Sequence, residues 1–119
     1  MPELIKTSDI LGPLTEFESK HAPQELYVEG DLGLLRAGVR VSVVGSRKVR
    51  PEGAQRALAF TQALVRHGII VVSGLAEGVD TVAHESAIAA GGRTIAVLGT
   101  PLSQAFPAKN TKLLETIKR

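Results

Sequence analysis

From Val41 onward the apolar positions fall into a regular succession of short continuous runs and amphipathic stretches. Val41-Ser42-Val43-Val44 is a β-branched run closed by Gly45, the pattern of a buried parallel strand. Pro51 then opens a segment in which Ala54, Ala57, Leu58, Thr61, Leu64 and Val65 share one helical face. His67-Gly68 ends it, with Gly68 suited to a left-handed conformation. The next run, Ile69-Ile70-Val71-Val72, lacks alternation and reads as a central strand covered on both sides. Residues 73–78 form a second glycine-bearing turn, followed by an alanine-rich helix over about 80–90 whose small face suits close packing on a sheet. Thr94-Ile95-Ala96-Val97-Leu98 is a third strand, and a loop through Pro101 and Pro107 leads to an amphipathic helix carrying Leu113, Leu114 and Ile117.

The first third is less regular. Ile10, Leu11, Leu14 and Phe17 have helix-like spacing interrupted by Gly12-Pro13. His21-Ala22-Pro23 breaks this segment, residues 25–29 read as extended, and Asp31 is placed to cap a turn through Leu34 and Leu35. We therefore expect an N-terminal helical appendage over 1–22 and an α/β domain over 23–119. Strands alternating with helices at these lengths predict a parallel sheet with right-handed crossovers and helices on its faces. Ligands of such sheets bind beyond the carboxyl ends of the strands. Three loops meet there: 45–50, 73–78 and 99–110.

The first of these loops has a charge conflict. A helix N-terminus carries unpaired N–H groups and partial positive charge, yet Arg47, Lys48 and Arg50 precede Pro51, with Glu52 alone to offset them in the first turn. A bound phosphate reverses the conflict, since it favours the dipole, the free N–H groups and the basic side chains together. Gly45 permits close backbone approach and Ser46 offers a hydroxyl donor. The alternative is a plain strand-to-helix turn with its basic side chains in water. Neither G-x-G-x-x-G nor G-x-x-x-x-G-K-[ST] occurs, so an ordinary NAD or ATP site is not supported.

Composition narrows the picture further. The chain has 119 residues, 44% hydrophobic and 22% charged, as in a single globular domain. No apolar run is long enough to span a bilayer and no signal-peptide pattern opens the chain, so the expectation is a cytoplasmic protein without a membrane partner. With no cysteine, disulfides, thiolate metal sites and a cysteine nucleophile are excluded. The net charge of +2 is too small for binding nucleic acid by bulk electrostatics, so the placement of charge matters more than its sum.

Asp80 and His84 lie one helical turn apart and invite a metal or acid–base reading, but two ligands do not make a metal site, and a helix cap with a locally bonded histidine accounts for them. Ser73 lacks the G-x-S-x-G context of a nucleophile. We expect no catalytic residue, metal or cofactor. In the third loop, Phe106 can stack on a base and Lys109 can meet a phosphate; equally, Phe106 can pack inward while Asn110 caps the last helix. With aromatics at 3%, any strand would be held chiefly by its backbone.

Taken in order, LYVEGD over 26–31, VSVVGSR over 41–47, VVSGLAEGVD over 71–80, Ala83-His84, GGRTIAVLG over 91–99 and FPAKN over 106–110 resemble the DNA processing protein A (DprA/Smf) family. The resemblance covers about 23–119. It implies a Rossmann-like three-layer α/β fold with a mainly parallel sheet and helices on both faces. It also implies a non-enzymatic protein that binds single-stranded DNA without sequence preference, forms a homodimer and loads a RecA-type recombinase during natural transformation and recombination. On this resemblance the phosphate contacts fall on Gly45, Ser46 and Arg47, with Lys48 and Arg50 beside them; on Ser73, Gly74 and Gly78; and on Phe106, Lys109 and Asn110. Two departures stand out: Phe106 replaces the family's usual tyrosine, and Arg50 replaces a capping serine. The family pattern also continues past residue 119, so a partial domain is expected. Two other readings remain open, a pocket for a small phosphorylated ligand or nucleotide and a nucleotide hydrolase. The second is disfavoured because 91–94 lacks the P-G-G-x-G-T-x-x-E pattern.

Overall fold

The computed structural model describes residues 2–35, 38–99, 102 and 108–118. Its centre is a parallel three-stranded sheet of β3 (Arg40–Ser42), β4 (Ile70–Ser73) and β5 (Thr94–Ala96), in that spatial order. Val41 pairs with Val71, and Val71 with Thr94. The ladder runs past the formal strand ends, because the Val43 amide donates to the Val72 carbonyl at 2.8 Å and the Val97 amide to the Ser73 carbonyl at 2.9 Å.

The crossovers are α3 (Pro51–Arg66) and α4 (Val79–Ala89). Both step across the sheet in the same direction, so right-handed connections put both helices on one face. There Val43, Leu64, Val71, Ala83 and Ala87 form the core, with Val41, Val65, Ile69 and Val79 packed around them. The small side chains predicted for α4 are used as expected: Ala83 and Ala87 are fully buried. Gly92 extends this economy, since a Cβ there would come within 2.5 Å of Val65. Gly68 closes α3 with φ +70°.

Before the sheet, β1 (Glu3–Lys6) pairs antiparallel with β2 (Glu25–Val28). The two are joined through α1 (Thr7–Leu11) and α2 (Glu16–His21). The sequence pattern predicts a single interrupted helix here and no strand β1. The strand escapes because, of its four residues, Ile5 alone is buried, which leaves no alternation to read. The break at Gly12-Pro13 splits the helix, and α2 starts with a capping box: the Glu18 amide donates to Thr15 Oγ1 at 3.1 Å and the Thr15 amide to Glu18 Oε1 at 2.9 Å. Asp31 acts as predicted, accepting from the Gly33 amide at 2.9 Å to start a 3-10 turn over Leu32–Leu35. Finally α5 (Thr111–Ile117) packs against β5, where Leu114 and Ile117 line a cleft of about 180 Å³ with Leu26, Ile95 and Val97.

Among the described residues, specific buried polar links join the elements. Ser73 Oγ donates to the Val43 carbonyl at 2.7 Å, tying β4 to β3. His84, fully buried, places Nδ1 2.6 Å from Thr94 Oγ1, and that hydroxyl donates to the Val71 carbonyl at 3.2 Å. Burial pushes the His84 pKa from 6.5 down to about 4, outweighing the opposite pull of the Ser73 backbone and the Asp80 carboxylate. The folded protein therefore holds His84 neutral. The unfolded chain takes up a proton below pH 6.5, so stability is full above that value and falls as pH drops toward about 4. The expected loss is about 3 kcal/mol at the acid end. Urea unfolding at a series of pH values should show this slope, and His84→Gln should flatten it.

Candidate nucleic-acid interface

The loops that follow β3 and β4 are locked together at one point. Gly78 has φ +77°, and a Cβ built on it would lie 2.1 Å from the Ser46 carbonyl oxygen and 2.6 Å from that of Arg47. The Val79 amide donates to the same Ser46 carbonyl at 3.1 Å. Gly45 also passes close to Val79, whose side chain a Cβ would meet at 2.7 Å. Packing this tight, against backbone at Gly78 and against the Val79 side chain at Gly45, admits no side chain at either glycine.

The 73–78 loop is shaped from behind by Asp80 and Asn110. Asp80 Oδ2 accepts from the Gly74 amide at 3.1 Å and from the Ala76 amide at 3.3 Å. Leu75 sits at φ 63° with its side chain fully buried, a left-handed conformation that needs outside support. Asn110 supplies it, with Nδ2 donating to the Leu75 carbonyl at 3.2 Å and to Thr81 Oγ1 at 3.0 Å. Thr81 Oγ1 in turn donates to the Ala76 carbonyl at 2.6 Å. Asn110 occupies the residue before α5, yet its side chain does not cap that helix.

These partners separate the predicted site residues into two sets. Gly45, Ser46, Arg47, Lys48, Arg50, Gly74 and Lys109 are exposed on the edge beyond the sheet. Ser73, Gly78 and Asn110 face inward: Ser73 bridges strands, Gly78 seats one loop on the other, and Asn110 braces Leu75. Phe106 lies outside the described residues. Asp80 and His84 are committed to the loop and to Thr94 respectively, so neither is aimed at a ligand.

Within the exposed set, Ser46 Oγ accepts from the Lys48 amide at 3.1 Å, which leaves its own proton available to a ligand. Arg50 stands at the N-cap position of α3 without a side-chain cap, and Pro51 follows at N1. The 16-residue helix thus starts directly after the exposed Arg47, Lys48 and Arg50, with no side-chain cap of its own, an arrangement suited to an anion. One residue the sequence reading did not single out belongs here. Glu77 Oε1 lies 2.7 Å from Lys109 Nζ. The Lys109 hydrogen bond, with further pull from the Lys109, Arg47 and Lys48 charges, holds the Glu77 carboxyl below the usual carboxylate range. In the sequence it shows only as an acidic residue inside a glycine-bearing loop, because its basic partner lies far along the chain.

The family profile of DNA recombination-mediator protein A matches residues 5–119. The chain belongs to that family. It is 43% identical over 96 residues to DNA processing protein DprA of Streptococcus pneumoniae, covering 81% of this chain and 33% of that protein. It is 34% identical over 116 residues to protein Smf of Escherichia coli, covering 98% of this chain and 28% of that one. The chain thus spans a third or less of the length of these curated relatives. The X-ray structure of the Streptococcus pneumoniae protein superposes with a TM-score of 0.85 at 37% identity, over 98% of this chain and 41% of that one. A Helicobacter pylori DNA processing protein A structure, described for its unique single-stranded DNA binding mode, superposes at 0.76 with 30% identity, over 100% of this chain and 51% of that chain. These matches bear out the family resemblance and the Rossmann-like α/β class read from the sequence.

Gly78 and Gly91 offer an internal comparison. Both have positive φ, but a Cβ at Gly91 meets nothing within 4 Å. Gly91→Ala should cost about 1 kcal/mol of backbone strain, and Gly78→Ala several kcal/mol more, because the 45–50 loop must move away. Paired urea denaturation curves measure the difference.

Proposed function

We propose that this chain is a non-enzymatic module that binds single-stranded DNA through its phosphates, without preference for sequence. The observation that carries the reading is the α3 N-terminus, left without a side-chain cap and preceded in the chain by the exposed Arg47, Lys48 and Arg50, in a family whose Helicobacter pylori relative is described as binding single-stranded DNA. Backbone amides of the exposed loops and the Ser46 hydroxyl take phosphate oxygens, the basic side chains supply charge, and Gly45 and Gly74 let their loops pack close against Val79 and Asp80. Gly78, Ser73 and Asn110 act indirectly by holding the two loops in register. Phe106 adds a stacking contact from the third loop. Sequence tolerance follows, because contacts to the phosphate backbone carry no base information.

By the same reading, 23–119 is part of a larger Rossmann-type domain and 1–22 is an appendage to it. The protein acts in the cytoplasm on DNA entering recombination and natural transformation, as a homodimer that hands the strand to a RecA-type recombinase.

Titration of a labelled oligothymidylate at several salt concentrations tests the binding step. Binding should weaken steeply with salt. Arg47→Ala should lower low-salt affinity about tenfold and reduce the salt slope by about 0.7. An unchanged affinity in the variant, or binding by the parent chain that a free mononucleotide reproduces, would overturn the proposal.

A further inference from the structure

The 73–78 loop carries a carboxylate into the middle of its own candidate anion site. Glu77 precedes Gly78, the residue seated against the Ser46 and Arg47 carbonyls, so it stands where the first two loops touch. Its side chain then reaches the third loop, with Oε1 2.7 Å from Lys109 Nζ. Both partners are open to solvent, with side-chain exposures of 44% for Glu77 and 65% for Lys109. An exposed pair of this kind contributes little to folding. Its effect falls on whatever else competes for Lys109.

We propose that Glu77 is an intramolecular competitor for the anion site, a tethered carboxylate that occupies Lys109, beside the loop that carries Arg47 and Lys48, until a phosphate displaces it. The idea rests on the functional reading above for its natural ligand, single-stranded DNA, but the competition applies to any phosphate. Two consequences follow. Lys109 is already neutralised in the free protein, so it releases no counterion when DNA arrives unless Glu77 lets go. A phosphate arriving beside Arg47 also meets a fixed negative charge, which weakens binding and speeds release. The depressed Glu77 carboxyl, drawn down first by Lys109 and further by Arg47 and Lys48, agrees with its place among these cations.

Glu77→Gln keeps the shape and removes the charge. Fluorescence anisotropy with a labelled oligothymidylate should show the variant binding about three- to tenfold more tightly at low salt, with a salt slope steeper by about 0.7. In a Lys109→Ala background the same substitution should gain less, because the released cation is gone. Unfolding curves for each variant should overlay the parent, since among the described residues no backbone group bonds to either side chain. A second titration uses inorganic pyrophosphate, followed through the amide resonances of Gly45, Ser46 and Gly74. If the parent chain binds no DNA while pyrophosphate binds more tightly to Glu77→Gln, the functional reading fails and the competitor stands. Equal or weaker binding of both ligands by Glu77→Gln overturns the competitor, whatever the parent chain does. Absence of any binding in both proteins overturns both.

Discussion

The contact on which the candidate site depends is backbone against backbone, where Gly78 presses on the Ser46 and Arg47 carbonyls. Two loops separated by a full βα unit are brought within hydrogen-bond range there, and the Val79 amide completes the join. A side chain of any size would separate them. The contact also fixes where the basic residues stand, since Arg47 and Lys48 hang from the loop that Gly78 holds. Fold and charge placement therefore share one steric requirement.

The layers beneath make that contact possible. Ala83 and Ala87 bring α4 down onto the sheet, which delivers Gly78 and Val79, at its leading end, to the loop after β3. Ser73 Oγ bonded to the Val43 carbonyl keeps the ends of β3 and β4 level. Asp80 and Asn110 brace the far side of the second loop, so the strained Leu75 conformation is held by side chains from two directions. The buried groups that resemble catalytic chemistry, Ser73, Asp80 and His84, thus serve as struts. Their partners are backbone amides, carbonyls and a threonine hydroxyl.

What could be read in advance follows from range along the chain. The parallel strands, α3, α4 and the glycine that ends α3 each rest on local apolar spacing or local turn chemistry, and all were legible. The strand β1 was not, since its pairing with β2 is made across both intervening helices and Ile5 is its sole buried side chain. At the site, the exposed cations were legible because three of them crowd a helix start. The inward roles of Ser73 and Asn110 were hidden, because each depends on a partner more than 25 residues away. Glu77 was visible as a letter, but its meaning depends on Lys109, which lies 32 positions further along the chain.

Helix α5 has seven residues, too few to persist without its neighbours. It is held by the buried Leu114, by Asn110 and by Lys118, whose Nζ lies 3.2 Å from Glu29 Oε2. Leu114 and Lys118 lie outside the α3–α4 core, and Asn110 reaches α4 through Thr81 Oγ1. Fraying of this one short segment withdraws Asn110 from Leu75 and Lys109 from Glu77 while the sheet and its two long helices stay intact. The order of the edge that gathers the charges is therefore coupled to that of α5 as well as to the sheet beneath it.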